Sequence, residues 1–218
     1  MSTALALLVV VLPVFLLVGT GYAAIRLRVL PDAAVDSLLA FATKIAVPVL
    51  LFLAIYRLDL GRALRWEHLL SFYAAATVSF AGAMAVSRLV WRRRPGESVA
   101  VGFLALFSNS VLLGLPIATR AYGEAELEAV FAIIAVHAPY CYLLGILTME
   151  MSRRDGAPVS TALARTLRDM ARNALAIGIA LGLVFNLAEL PLPGPVAETL
   201  DLLARASLPV ALFGLGGA

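Results

Sequence analysis

Apolar residues run along this chain in seven blocks of about 20 positions, each set off by a short polar connection. The blocks cover 4–25, 35–56, 69–90, 99–122, 127–149, 167–187 and 196–217. Each has the length a helix needs to cross a hydrocarbon layer. Only 57–68 and 150–166 are polar connections of any length, and neither can hold a folded domain. Pro95-Gly96 and Gly194-Pro195 mark turns. The first block begins almost at Met1 without a basic leader, so it reads as a retained helix and not as a cleaved signal.

The fourth block departs from the pattern. Ser108-Asn109-Ser110 and then Gly114-Leu115-Pro116 interrupt its centre. Hydrocarbon offers no water to polar groups, so an Asn between two serines at that depth needs protein or solute partners. Pro116 removes a backbone donor and clashes with the preceding turn, which predicts a break or kink just upstream, near Leu112. Pro48 and Pro209 stand in the same way inside the second and seventh blocks and are further candidate helix-break positions. A broken helix at membrane depth is tolerated mainly where it packs in protein or lines a cavity, and such helices often build solute sites near the midplane.

Composition places these helices in a bilayer. The 218 residues are 62% hydrophobic and 14% charged, with a mean hydropathy of +0.95, against about 25% charge in soluble domains. The net charge of +3 rests almost wholly on Arg, Lys44 being the one Lys. In a membrane protein such a balance reports cytoplasmic loops and excludes nucleic acid as the expected partner. Eleven Arg fall in the first, third and fifth connections (Arg153, Arg154 and Arg165 among them), against four (Arg57, Arg62, Arg65 and Arg120) in the second and fourth. The positive-inside rule then puts the N-terminus outside. Cys141 stands alone in an apolar stretch, so disulfides and Cys-based metal sites are not expected; it reads as a packing residue.

An internal repeat accompanies the blocks. Lys44, Pro48, Val49, Leu51 and Phe52 recur as Arg205, Pro209, Val210, Leu212 and Phe213 at an offset of 161 residues. Gly21 and Gly182 share that offset, and Leu30-Pro31 is echoed by Leu190-Pro191. Blocks one and two thus correspond to blocks six and seven. Five blocks per copy is an odd number, so the second copy would enter from the opposite side as an inverted repeat. Counterparts of blocks three to five are not in the sequence. A fragment of a ten-span protein is the favoured expectation, and a natural seven-span product stays open.

With Phe107-Ser-Asn109-Ser110-Val-Leu-Leu-Gly114-Leu-Pro116 and the two Pro-x-x-x-Phe helices, the chain resembles the auxin efflux carrier family. It is most similar to the bacterial members described as malonate or dicarboxylate transporters. The resemblance implies an all-α membrane fold of ten helices in two inverted five-helix repeats. Residues 1–66 would supply scaffold helices, 67–152 transport-domain helices with a broken fourth, and 153–218 the start of the second repeat. It also implies alternating-access carriage of small organic carboxylates across a bacterial inner membrane, no enzymatic activity, and a homodimer through scaffold helices. Asn109 matches the Asn that helps hold the carboxylate in plant members. Ala174 stands where related chains often have a Pro after Asn.

Each candidate has a structural alternative. Asn109 can bind solute or cap the broken helix; Ser108 and Ser110 can bind solute or the local backbone; Gly114 completes the motif. Lys44, deep in the second block, can bond carbonyls freed at Pro48 or attract a carboxylate, at a cost of at least ~2.5 kcal/mol for insertion. His137 can accept a coupled proton or pack beside the broken helix. Arg205 has Asp201 four residues earlier as an intrahelical partner and reads as structural. No other carboxylate lies deep in a block, so no cofactor is expected and H⁺ or Na⁺ coupling is left open. A seven-span receptor predicts neither the repeat nor the break. A hydrolase would need motifs that the sequence lacks. A chain that does not transport alone remains an alternative.

Overall fold

A computed structural model describes residues 3–63, 66–123, 127–152, 163–164, 167–168 and 170–218. All regular structure among them is helical. Helix α1 (Thr3–Arg26) is followed by α2 (Ala33–Phe41), which passes through a π-turn (Ala42–Ala46) into α3 (Val47–Tyr56). A short α4 (Leu60–Ala63) precedes α5 (Trp66–Leu89) and α6 (Pro95–Leu106). After an interruption come a second π-turn (Ser110–Gly114), α7 (Leu115–Tyr122) and α8 (Glu128–Ser152). Two helices close the chain, α9 (Ala174–Leu187) and α10 (Gly194–Gly217).

Six of the apolar stretches are long enough to cross a membrane among the described residues. The sixth block differs from expectation, because its described helix is the 14-residue α9. Asn173 sets that start: its Oδ1 accepts from Leu175 N at 2.9 Å and Ala176 N at 3.3 Å, an N-cap that fixes where the helix begins. Arg65, Arg153, Arg154 and Arg165, part of the charge-asymmetry argument, lie outside the described residues.

The chain forms two compact units. The first comprises Met1–Asp59, Asn109–Phe131 and Asn173–Ala218; the second comprises Leu60–Ser108 and Ala132–Arg172. In the first unit α3 packs on α9 and α1 on α10. Lipid gives helices no hydrophobic reason to associate, so small residues that let backbones approach become the adhesive. A Cβ on Gly21 would stand 1.9 Å from the Phe213 carbonyl oxygen, and one on Gly182 would stand 2.6 Å from that of Phe52. Asn186 joins α9 to the end of α3, its Nδ2 donating to the carbonyls of Ile55 (3.1 Å), Tyr56 (2.8 Å) and Leu58 (2.8 Å). The first two belong to the last turn of α3, where carbonyls lack intrahelical donors, and the third to the residue beyond its cap.

Helices α1 and α9 end alike. Arg28 takes φ 57° and Glu189 φ 50°. Each is followed by a six-to-one bond, Val29 N to Ala24 O at 2.8 Å and Leu190 N to Phe185 O at 3.0 Å, the closing bond of a Schellman cap. Every residue of one cap lies 161 positions from its counterpart in the other.

Pro48 does not break its helix. The proline lacks the N–H that would meet the Lys44 carbonyl, and the chain absorbs the defect by widening one turn, with Val47 N bonding Ala42 O. Pro209 lies inside the continuous α10.

In the second unit α5 packs on α6. Its core is Phe80, Val99, Leu106 and Cys141, with Met84, Phe103 and Leu144 against it. Cys141 is fully buried, a packing residue as expected. Pro95 opens α6 at a position where a missing N–H costs nothing, and Glu97 Oε2 accepts from Arg94 N at 3.3 Å to complete the cap.

Candidate solute site

The interruption in the fourth block lies at residues 107–109, earlier than the Leu112 region that Pro116 alone predicts. Helix α6 ends at Leu106, and Phe107 turns extended at φ −84°, ψ 90°. Asn109 then restarts the helix. Its Oδ1 accepts from Leu112 N at 3.1 Å, while its carbonyl accepts from Leu113 N (3.3 Å) and Gly114 N (3.0 Å) in the π-turn. The wide turn takes up the donor missing at Pro116, so the defect sits inside the renewed helix and the break falls where Asn109 caps it. Pro116 is buried, Gly114 and Ser110 half-buried, and Asn109 exposed.

Asn109 therefore serves as a cap, as one of its two readings held. Its acceptor is committed to Leu112, whereas the amide nitrogen makes no hydrogen bond among the described residues. Two outward N–H donors remain at the start of a renewed helix, where backbone dipoles also favour negative charge.

Ser108, the neighbouring residue, belongs to the second unit and pairs there with His137. Its Oγ lies 3.3 Å from His137 Nε2. The imidazole is buried and ringed by aromatic side chains, with centroids at 5.3 Å for Phe107, 5.8 Å for Phe72 and 6.3 Å for Tyr73. Tyr73 donates its hydroxyl to Ile133 O at 2.8 Å, and Thr77 Oγ1 bonds the Tyr140 hydroxyl. Sequence reasoning placed His137 beside the broken helix but missed Phe72, Tyr73 and Thr77. The four-residue spacing of Tyr73 and Thr77 along one face of an apolar helix was the available signal.

The first unit also holds a cavity of about 820 Å³, whose walls come from α1, α3, α7, the start of α8, and α10. Leu115, Pro116 and Thr119 of the renewed helix face it, as does Pro209. Val14, Leu17, Leu53 and Leu212 supply an apolar surface, and the charged side chains among the described residues are Arg57, Arg120, Arg205, Asp201 and Glu128. Arg57 grips Asp201 with both fork nitrogens, Nη1 to Oδ1 at 2.9 Å and Nη2 to Oδ2 at 2.8 Å. This corrects the expected Asp201–Arg205 partnership. A planar guanidinium matches both carboxylate oxygens at once, a geometry the neighbour one helical turn away does not reach. Hydrogen bonding to Asp201 raises the Arg57 pKa further above its usual value, so Arg57 stays charged throughout the working pH range. Arg120 donates through Nε to Val10 O at 3.1 Å. Lys44 is exposed, makes no hydrogen bond among the described residues, and does not line the cavity.

Comparison with known proteins agrees with this architecture. Residues 6–218 match the family model described as "Membrane transport protein". The chain is 26% identical over 209 residues to a protein of Rhizobium meliloti (strain 1021) named "Putative malonate transporter", covering 94% of this chain and 64% of that one. It is 27% identical over 211 residues to an "Uncharacterized transporter" of Methanothermobacter thermautotrophicus (strain Delta H), covering 94% and 66%. The chain thus spans somewhat less than two thirds of the length of these relatives. A match over nearly every residue, on a helical frame with a capped break in its fourth apolar block, makes the chain a member of the membrane transport protein family, the auxin efflux carrier group that its motifs resemble.

Proposed function

We propose that this protein is a secondary-active carrier of small organic anions, malonate and related carboxylates among them, working by alternating access in a bacterial inner membrane. The observation that carries this reading is Asn109, exposed at the start of the renewed helix with its oxygen committed to the cap and its amide donors uncommitted. Two amide donors at the positive end of a half-helix suit a carboxylate better than a cation. The name of the Rhizobium relative gives malonate as the first anion to try. Ser108 and His137 stand next to that position in the chain and in a hydrogen bond respectively, which makes His137 the group to examine for proton coupling. The matched caps at Arg28 and Glu189, and the matched approaches of Gly21 and Gly182 to Phe213 and Phe52, support an inverted repeat; the Arg distribution supports an N-terminus outside.

The test is uptake of radiolabelled malonate by cells expressing the chain, comparing Asn109 with Asn109→Ser and Asn109→Ala. Serine keeps a capping oxygen but loses the amide donors. Both variants are expected to lose uptake, with Asn109→Ser retaining wild-type yield and melting temperature. Wild-type uptake by Asn109→Ser would refute the assignment.

A further inference from the structure

We propose that the Arg-lined cavity of the first unit is a carboxylate-recognition site in which Asp201 stands in for the ligand, closing the Arg57 fork until an organic anion displaces it. The inference deepens the organic-anion reading and rests on it, but its central pair, Arg57 and Asp201, is singled out by neither the motif nor the repeat.

Three observations lead here. The first is the geometry of the pair. Both oxygens of Asp201 meet both terminal nitrogens of Arg57 at 2.9 and 2.8 Å, the arrangement that an incoming carboxylate would adopt with the same guanidinium. The second is accessibility. The Arg57 and Asp201 side chains are 52% and 36% exposed, so the pair opens onto the cavity and is not sealed within a core. Solvent-accessible ion pairs are weak, and a second carboxylate can compete for the fork. The third is the charge balance of the walls. Among the described residues, Arg57, Arg120 and Arg205 line the cavity with Asp201 and Glu128, three cations to two anions. Arg205 makes no hydrogen bond among the described residues and attracts Asp201 only through space.

Position supplies the mechanism. Arg205 lies one helical turn beyond Asp201 on α10, within reach of a side chain at i−4. When a ligand carboxylate takes the Arg57 fork, Asp201 has a cation waiting on its own helix, so displacement strands no charge. Arg120 has guanidinium donors beyond the Nε given to Val10, and these are available to a second carboxylate. The apolar wall from Val14, Leu17, Leu53 and Leu212 receives the methylene portion of the anion. At about 820 Å³ the space falls within the usual range for small-molecule sites. A dianion is preferred over a monoanion, because two guanidiniums flank the space once Asp201 has moved.

The experiment is equilibrium binding of malonate to the purified full chain in nanodiscs, by isothermal titration calorimetry, with uncharged malonamide as the control. Asp201→Asn removes the internal competitor's charge and is expected to tighten malonate binding by up to roughly fivefold, the worth of an accessible ion pair. Arg57→Gln is expected to weaken it by at least about tenfold, and Arg57→Lys, which keeps the charge without the fork, by nearly as much. Melting temperatures of all variants establish that they are folded. Unchanged or weaker malonate binding by Asp201→Asn overturns the stand-in role, and unchanged binding by Arg57→Gln overturns the site. Asn109→Ala separates this inference from the broader reading. Binding that depends on Asn109 but ignores Arg57 and Asp201 refutes the cavity alone. If no protein, Asp201→Asn included, binds malonate, the organic-anion reading falls with it.

Discussion

A very close backbone approach in the first unit gives the sharpest prediction. A Cβ placed on Gly21 would stand 1.9 Å from the carbonyl oxygen of Phe213 and 2.8 Å from its carbon, and real Cβ atoms essentially never come within 3.0 Å of such neighbours. Gly21→Ala therefore demands a displacement of more than 1 Å between α1 and α10. The obstructing atoms are backbone, so no rotamer change relieves the clash. Overpacking of this kind costs about 1–3 kcal/mol. Replacing a mid-helix glycine returns about 0.5–1 kcal/mol of propensity. The clash wins, and a net loss of about 1–2 kcal/mol is expected.

Gly19 supplies the internal control. It sits on the same helix with nothing within 4 Å of its hypothetical Cβ, so Gly19→Ala keeps the propensity gain without the clash. The two variants should differ by the clash alone, about 1–3 kcal/mol, which for a chain of this length is on the order of 2–12 °C in melting temperature. Gly182→Ala, facing the Phe52 oxygen at 2.6 Å, should fall between them. The assay is fluorescence-detected melting of purified protein in one detergent at one scan rate, since membrane-protein melts are often irreversible. If Gly21→Ala melts at or above Gly19→Ala, then α1 and α10 do not meet through these residues and the close-packed account of the first unit is wrong.

Asn186→Leu removes the two N–H groups that the end of α3 shares among the Ile55, Tyr56 and Leu58 carbonyls, of which Ile55 keeps Leu58 N at 3.3 Å; a loss of about 1–3 kcal/mol should appear in the same melting assay. Ser87 runs the other way. Its Oγ is buried without a hydrogen-bond partner among the described residues, so Ser87→Ala should be neutral or stabilising by up to about 1 kcal/mol, and a clear destabilisation would contradict that burial. The bidentate Arg57–Asp201 pair is more than one-third exposed on both sides, so a double-mutant cycle with alanine at each position should return a coupling below about 1 kcal/mol that shrinks with added salt.

How much of this was legible in the sequence depended on whether the cause was local. The apolar blocks are a local property, and the long helices follow them closely. Asn173 as a cap and Pro95 at a helix start are also local, because the partner atoms lie within four residues. Pro116 gave the existence of a break but not its place. A proline says only which donor is missing, and the π-turn decides where the loss is absorbed. Pro48 makes the same point, since a single widened turn carries the chain past it without a break.

The Asp201 partnership shows the opposite case. Arg205 at i+4 is what sequence spacing offers, whereas Arg57 is 144 residues away and becomes a neighbour only through the packing of α3 against α10. Local spacing cannot rank a loose intrahelical pair against a bidentate fork supplied by another helix. The repeat could have helped. It aligns Gly21 with Gly182 and Phe52 with Phe213, and if the two copies pair reciprocally, each glycine should meet the other copy's phenylalanine. Those are the contacts the structure contains. Helix α3 also packs directly on α10, and Arg57 lies one residue past the end of α3. A charged residue there has no carboxylate within α3, and of the two acids on the facing α10, Glu198 and Asp201, it is Asp201 that it meets. Internal symmetry was therefore a stronger source of long-range contacts than side-chain spacing.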